Sequence, residues 1–468
     1  MSTLITNGTI VTAADTYPAD VLIEGEKVAQ IGQKLKVDGA QQVDARGLLL
    51  MPGGIDVHTH LELPFGGTVA SDDFFTGHRA AAFGGTTSHI DFVIQPKGGT
   101  LHDGLTAWHK KAEGKANIDY GFHLAITDLT SKVMDEIPSL VGDGVTSLKL
   151  FMAYKGNLQV DDTTLFTAML KAAEAGMLTM VHAENGDAID VLVKDALAKG
   201  QVDPIYHALT RPEECETEAT GRAVQFAGVT RAPLYVVHMT CEGALDMLRY
   251  GRERGYPVMG ETCVQYLFFT EDNLGAPGYE GAKFVCSPPL RKSKDQKALW
   301  RALASGLLQA VSTDHCPFFF DGTRPGTIPG KELGEGDFSK IPNGVPGIED
   351  RQMVMWDQGV NGQHFSANRF VELTATNPAK IFGMYPRKGT LAVGSDADIV
   401  LWDPNEKHTI SANTMHMRTD YNLYEGWQVK GKPAKVFLRG KLIVDGERWL
   451  GTQGTGQFIK RQAHAPVL

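Results

Sequence analysis

Six residues of types that bind metal ions or move protons lie at or near the ends of short apolar runs. They are His58, His60, Lys149, His182, His238 and Asp314. The runs have the sequences GGIDVHTH, SLKLF, LTMVH, LYVVH and LQAVSTD. Four imidazoles, a carboxylate and a lysine at one place would suit two divalent metal ions and a hydrolytic water. The sequence therefore indicates metal-assisted hydrolysis if the fold brings these residues together.

The pair His58 and His60 has the spacing of residues that share one face of a strand. Two imidazoles on one face can meet one ion, and we expect Asp56, on the same face, to orient them. Alone, such a pair is more often a satisfied core or surface pair. Its place after MPGGID, together with further candidate ligands, favours the metal site.

Lys149 lies between Leu148 and Leu150, where an ammonium group would be buried. A buried lysine is rare unless it is paired or chemically altered. One interpretation is an edge lysine whose charged end reaches solvent. The other is a carbamate formed with CO2, an anion whose two oxygens can bridge two cations.

His182 and His238 each close an apolar run, and Asp314 lies in the segment STDHCP. A strand-end histidine is more often a hydrogen-bonded core residue, but two in the same position on successive strands favour ligands. A carboxylate on a metal can also take a proton from the attacking water. The alternative for Asp314 is a helix N-cap.

The elements that must position these residues alternate along the chain. Short apolar runs typical of buried parallel strands are separated by amphipathic stretches such as 163–175 and 294–304. Polar residues at the carboxyl ends of such strands mark the active-site face of a (β/α)8 barrel. We therefore predict an α/β fold with a TIM-like barrel, and a lid or binding loop at 318–343 after its eighth strand.

Both chain ends have a different sequence pattern, in which short predicted strands are separated by turn signals such as Asn7-Gly8. Neither end could close a core alone, so we predict that they pair into one smaller β-sandwich domain. The predicted segments are 1–52 and 385–450 for the sandwich, 53–384 for the barrel and 451–468 for a C-terminal tail.

Bulk properties exclude several classes of function. A net charge of −10 argues against nucleic acid as a partner. No run approaches the ~20 apolar residues that span a membrane, and the N-terminus shows no secretory signal. The five cysteines are odd in number and lack CxxC spacing, which favours free thiols and a cytoplasmic location.

At these residues the chain resembles the amidohydrolase superfamily, and within it the cyclic-amidase branch of dihydropyrimidinases or D-hydantoinases. The resemblance covers nearly the whole chain through the motifs PGGIDVHTHLELPF, SLKLFMAYK, VHAEN, VVHMTC, CSPPLR, STDHCPF, IPNGVPGIEDR and RKGTLAVGSDADIVLWDP. It implies two Zn²⁺ ions per subunit. His58, His60 and Asp314 would hold one ion and His182 and His238 the other, with carboxylated Lys149 and a hydroxide bridging them.

The resemblance also implies substrate contacts. Tyr154 would donate to the developing oxyanion, while Ser287 and Asn343 would hold the ring amides mainly through backbone groups. Leu63, Phe65 and Leu158 would touch the ring substituent. The alternatives are an exposed loop aromatic for Tyr154, a turn before prolines for Ser287 and lid packing for the apolar residues.

The activity implied is zinc-dependent hydrolysis of a small-molecule cyclic amide, as in pyrimidine catabolism. Substrates would be 5,6-dihydropyrimidines (dihydrouracil, dihydrothymine) or 5-substituted hydantoins, and products N-carbamoyl amino acids. The alternatives are an allantoinase-type ureide hydrolase, whose relatives lack the tyrosine after the lysine, and a non-catalytic collapsin-response-type scaffold, which loses metal ligands.

The resemblance implies a homotetramer whose C-terminal tails reach a neighbouring subunit, with Phe458 and Ile459 as apolar anchors. A frayed terminus is the alternative.

Overall fold

The computed structural model describes residues 2–465. The N-terminal segment forms five strands, which are β1 (Ser2–Val11), β2 (Thr16–Glu24), β3 (Lys27–Gly32), β4 (Gln41–Asp44) and β5 (Leu49–Pro52). The strands of the central segment are β6 (Gly54–Thr59), β7 (Pro64–Phe65), β8 (Thr68–Val69), β9 (Thr86–Ile94), β10 (Asp119–Ala125), β11 (Ser147–Phe151), β12 (Leu178–His182), β13 (Leu234–Val236), β14 (Val258–Cys263) and β15 (Ala310–Ser312).

The helices alternate with these strands. They are α1 (Thr76–Phe83), α2 (Leu101–Ala112), α3 (Ser131–Asp143), α4 (Asp162–Glu174), α5 (Gly186–Ala198), α6 (Ile205–Leu209), α7 (Glu213–Thr230), α8 (Glu242–Glu253), α9 (Ser293–Ser305), α10 (Arg351–Val354), α11 (Ala367–Val371) and α12 (Asn377–Ile381). Four strands close the chain, namely β16 (Ile399–Thr409), β17 (Gln428–Leu438), β18 (Lys441–Asp445) and β19 (Arg448–Trp449). Within residues 2–465, no helix is both long enough and apolar enough to cross a membrane.

Local sequence sets the helix ends. Thr100 and Asp103 form a reciprocal capping box at the start of α2, and the Thr130 hydroxyl accepts from the Val133 N–H at the start of α3. Gly144 ends α3 with φ +86°, a conformation that favours glycine. These caps fix where each helix returns the chain to the next strand.

The barrel contains eight parallel strands, paired in the order β6, β9, β10, β11, β12, β13, β14 and β15. The ring is nearly closed where the His60 N–H donates to the His315 carbonyl at 2.8 Å. Every residue of β6, β11 and β12 is buried, as expected for strands covered on both faces. Apolar side chains such as Ile55, Phe92 and Met180 fill the interior. The predicted (β/α)8 barrel is confirmed.

The small domain is built from both chain ends, as predicted. Its nine strands have the order β19-β18-β17-β16-β5-β1-β2-β3, with β4 paired to β1. The two ends join where β5 pairs antiparallel with β16. Ile5, Val21, Leu50, Ile399 and Phe437 share its core. The borders predicted between segments stay a prediction.

A buried ion cluster links the barrel to the small domain. The Lys388 ammonium lies 2.6 Å from Asp119 at the start of β10, 2.6 Å from Asp398 and 3.0 Å from Asp396. Burial opposes the charge of Lys388, but the three carboxylates outweigh it and raise its pKa. The cluster therefore depends on all its members being present.

The described part of the tail packs against its own barrel. Ile459 is 1% exposed among interior residues, and its N–H donates to the Tyr120 carbonyl at 2.7 Å. Phe458 stacks near Tyr120 and Phe122. The predicted role of Phe458 and Ile459 as anchors in a neighbouring subunit stays a prediction, although the Ile459 side chain is buried within its own chain. Residues 466–468 of the predicted tail lie outside the described residues.

Candidate active site

The six candidate ligands converge at the carboxyl ends of the barrel strands. His58 and Lys149 lie within β6 and β11, and His182 ends β12. His238 and Asp314 follow β13 and β15 by two residues. All six line one pocket of about 320 Å³.

Three of these groups form one cluster suited to a metal ion. The Asp314 Oδ1 lies 3.2 Å from His58 Nε2 and 3.0 Å from His60 Nε2. The three atoms lie within 4.8 Å of one another. Such a spacing fits ligand atoms at about 2 Å from a common zinc ion.

His182 and His238 form the second cluster. His182 Nδ1 and His238 Nε2 are 2.9 Å apart, while His182 Nε2 lies 2.7 Å from a Glu184 carboxylate oxygen. Because a carboxylate accepts, it holds the His182 proton on Nε2 and leaves the Nδ1 lone pair facing His238. At 2.9 Å His238 Nε2 can donate to this lone pair; with the His238 proton on Nδ1 instead, both nitrogens would be available to one cation.

Lys149 lies deep between the two clusters. Its side chain is 1% exposed, and its ammonium lies 4.9 Å from the Phe92 ring centre and 5.1 Å from that of Phe151. Burial lowers the pKa of Lys149 to about 7, against the opposing charges of Asp314 and Glu261. The interpretation as a solvent-reaching edge lysine is therefore wrong.

A buried carboxylate that sequence reasoning missed orients the first histidine. Glu261, within β14, accepts from His58 Nδ1 at 2.6 Å and from the Tyr235 hydroxyl at 3.0 Å. Burial lowers the pKa of His58, but Asp314 and Glu261 outweigh burial and raise it to about 9. The available signal was a carboxylate near the end of the apolar run VMGETC.

Asp56 acts differently from the prediction. Its carboxylate accepts from the His58 backbone N–H at 3.2 Å and from the Thr313 hydroxyl at 2.7 Å. It therefore fixes the backbones of two barrel segments where the ring closes, while the His58 imidazole donates to Glu261.

Three candidate residues have left-handed backbone conformations. The φ angles are +68° for Tyr154, +40° for His238 and +52° for Asp314. Such conformations are uncommon for residues other than glycine and cost on the order of 1–3 kcal/mol each. Backbone strain of this kind concentrates at functional sites, where the surrounding fold imposes it.

The candidate substrate contacts line the same pocket. They are Leu63, Phe65, Tyr154, Leu158, Ser287 and Asn343. The Tyr154 ring meets Phe65 edge-on at 5.4 Å and lies 5.2 Å from the His182 ring, so it is not an exposed loop aromatic. Burial, followed by the charge of Glu184, raises the pKa of Tyr154 and keeps its hydroxyl a donor.

The pocket has one apolar wall and one polar edge. Leu158 is buried against Phe151, with Phe65 and Ile94 packed beside them. At the edge, the Asn343 amide donates to the Ser287 hydroxyl at 3.1 Å. Ile94, Trp108, Cys316 and Gly344 also line the pocket and were missed by sequence reasoning.

Comparison with known proteins gives a consistent result over the full chain. The family model described as "Amidohydrolase family" matches residues 49–443. A D-hydantoinase from Geobacillus stearothermophilus is 50% identical over 469 residues, covering 100% of this chain and 98% of that protein. A D-hydantoinase from Streptomyces coelicolor is 49% identical, with 98% of each chain covered. The crystal structure of dihydropyrimidinase from Brevibacillus agri has a TM-score of 0.97 and 54% sequence identity, covering 99% of this chain and 100% of that chain.

Proposed function

Since the chain belongs to the amidohydrolase family, we propose that it is a binuclear zinc hydrolase of cyclic amides. Its substrates would be dihydrouracil, dihydrothymine and 5-substituted hydantoins, and its products N-carbamoyl amino acids. The observation that carries the proposal is the complete set of six ligand candidates in one buried pocket. That set also favours a catalyst over a non-catalytic scaffold.

The donor set fits two cations. His58, His60 and Asp314 would hold one zinc ion, and His182 and His238 the other, with Lys149 between them. Zinc ions held there would lower the pKa of a bound water toward neutrality and polarise the carbonyl under attack.

We propose that Lys149 is carboxylated. Its lowered pKa provides the neutral amine that must attack CO2, and loss of a proton then leaves an anionic carbamate. The single negative charge of a carbamate would attract cations into a pocket where an ammonium would repel them.

Lys149→Ala should abolish zinc binding and turnover, and short carboxylic acids should partly restore both. The matched control is Lys155→Ala, since Lys155 lies nearby but is half exposed and paired with Asp187. An unmodified Lys149 amine in wild-type protein carrying two zinc ions would refute carboxylation.

The chain's own residues would then complete the hydrolysis. Burial opposes ionisation of Asp314, yet His58 and His60 hold its pKa well below the usual range, so it is present as the carboxylate. Asp314 would take the proton of the attacking water and return it to the ring nitrogen as the C–N bond breaks. Tyr154 would donate to the oxygen that gains charge.

Binding would divide between the two sides of the pocket. Backbone groups of Ser287 and Asn343 would hold the CO–NH–CO unit that these rings share. The wall formed by Leu63, Phe65 and Leu158 would take the ring substituent.

Turnover of dihydrouracil, hydantoin and allantoin by purified, zinc-loaded protein tests the proposal. We expect ring opening of the first two and little of allantoin, because Tyr154 sets the chain apart from allantoinases. Turnover of allantoin alone would establish the ureide alternative. No turnover of any of the three would refute cyclic amide hydrolysis.

We also propose a cytoplasmic homotetramer. The five cysteines are free and buried, as suits a reducing compartment. Light scattering on the full chain and on a chain ending at Leu450 tests the role of the tail. Tetramers of equal stability would remove the tail from assembly.

A further inference from the structure

Lys331, within the 318–343 loop, carries a buried charge that the proposed mechanism does not use. The residue is 0% exposed. Its Nζ donates to the Val285 carbonyl at 2.8 Å, the Pro342 carbonyl at 2.9 Å and the Gly344 carbonyl at 2.8 Å. An ammonium has three N–H donors, and all three find an acceptor here.

The three carbonyls belong to the two segments at the polar edge of the pocket. Val285 precedes Ser287 by two residues, while Pro342 and Gly344 flank Asn343. Both segments are irregular backbone; the Gly344 N–H donates to the Val285 carbonyl at 3.0 Å, but no sheet ladder joins them. Buried carbonyls of such backbone need partners; the ammonium donates to all three, and at the Val285 carbonyl it adds to the Gly344 N–H.

The lysine itself is held in place. Its backbone N–H donates to the Phe319 carbonyl at 2.7 Å, and its carbonyl accepts from the Tyr279 hydroxyl. The Glu332 carboxylate accepts from the backbone of Gly322 and Gly330. The loop is thus folded around Lys331 before any substrate binds, and these hydrogen bonds fix the position of its ammonium group.

Burial lowers the pKa of Lys331 to about 7. The carbonyl oxygens oppose this loss of charge, because a neutral amine can satisfy only two of the three. The geometry therefore favours the ammonium form.

We propose that Lys331 is a positioning residue that sets the spacing between Ser287 and Asn343, and with it the affinity for the ring amide. This inference rests on the proposed function of those two residues in substrate binding. Gly344 supports the same arrangement, since a Cβ there would lie 2.3 Å from the Cys316 carbonyl oxygen. The segment can therefore lie this close to Cys316 only with glycine at this position.

The test compares Lys331→Met, which keeps length and removes the charge, with Lys340→Met. Lys340 lies on the same loop, its side chain is 69% exposed, and it pairs with Asp337 at the surface. We expect Lys331→Met to raise the KM for dihydrouracil about tenfold or more while kcat changes less than about fivefold, because binding lost equally from ground and transition states appears in KM. Zinc content should stay at the wild-type value, and Lys340→Met should match wild type.

Hydrogen exchange of peptides covering 281–290 and 338–348 gives a readout independent of activity. Both should exchange faster in Lys331→Met and not in Lys340→Met. If wild-type protein opens no cyclic amide, the proposed function fails, and the exchange experiment still decides whether Lys331 fixes these segments.

A second variant, Lys331→Ala, covers the case in which Lys331→Met fails to fold. Added n-propylamine can occupy the space of the missing side-chain atoms and supply the ammonium. Purified with this amine, Lys331→Ala should regain a KM closer to that of wild type. A KM within twofold of wild type in Lys331→Met overturns the positioning role even if hydrogen exchange becomes faster. Unchanged hydrogen exchange in both peptides overturns the idea that Lys331 holds the two segments in place.

Discussion

Replacing Glu261 by glutamine should weaken zinc binding through a residue outside the proposed set of ligands. The carboxylate accepts from His58 Nδ1 at 2.6 Å, so a proton stays on Nδ1, and Nε2 is the ring nitrogen that faces Asp314 and would bind the ion. Glutamine keeps the volume and can keep one acceptor on His58, but it removes the charge. The perturbation is therefore confined to the orientation and basicity of one ligand.

The magnitude follows from the type of hydrogen bond. A bond to a charged group contributes about 1.5–3 kcal/mol and a neutral one about 0.5–1.5 kcal/mol. The difference of about 1–2 kcal/mol corresponds to roughly a 5- to 30-fold rise in the zinc dissociation constant. This range overlaps the roughly 10- to 100-fold effects typical of groups that support metal ligands.

Competition of metal-free protein with a chromophoric chelator measures this constant directly. The matched control is Tyr235→Phe, which removes the other bond to Glu261 and leaves the one to His58. We expect it to shift the constant by less than about threefold. A Glu261→Gln constant within twofold of wild type would refute the reasoning, as would equal effects in both variants.

Three further predictions concern catalysis and stability. Tyr154→Phe should lower kcat by about 10²–10³ at unchanged zinc content, because only an oxyanion donor is lost; steady-state kinetics showing an unchanged kcat would make Tyr154 a packing residue. Burial, then the charge of Glu349, raises the pKa of Asp350 to about 8. Its contribution to stability is thus complete below the pKa that the carboxyl has in the unfolded chain and is lost as pH rises toward 8. The thermal midpoint of Asp350→Asn, relative to that of wild type at the same pH, should therefore rise between about pH 5 and about pH 7.5. A constant difference between the two midpoints would contradict this. Lys388→Met should lower the free energy of unfolding by about 3–5 kcal/mol in denaturant titrations, because buried carboxylates lose their partner. Arg439 also pairs with Asp119, at 3.1 Å, and a loss below about 1 kcal/mol would show that this pair suffices.

The candidate ligands at the strand ends could be predicted because the barrel imposes a local pattern. A strand covered on both faces is apolar throughout, so His182 at the end of LTMVH stands out without any knowledge of its partners. The positions of Lys149 and Asp314 follow from the same rule. The family motifs then supplied Tyr154, Ser287 and Asn343, which local patterns alone leave open.

Residues whose partners are distant in sequence could not be predicted in this way. Glu261 meets His58 across 203 positions, and only closure of the barrel brings them together. Lys331 lies in the polar stretch KELGEG, which looks exposed, since its acceptors are backbone carbonyls that no side-chain pattern reveals. Asn7-Gly8 is typical of a turn, yet Asn7 has φ +63° at a bulge inside β1, because pairing with β2 continues on both sides.

The join between β5 and β16 has a consequence for synthesis on the ribosome. About 350 residues separate the two strands, so at about 5–20 residues per second β5 waits roughly 20–70 s for its partner. During that interval the edge of β5, with the sequence LLMP, has no strand to pair with. Unpaired apolar edges recruit other chains, so a nascent chain is exposed to aggregation for as long as the barrel takes to emerge. Slower elongation lengthens this exposure, and expression yield should depend on translation speed and chaperone supply more than on the stability of the finished fold.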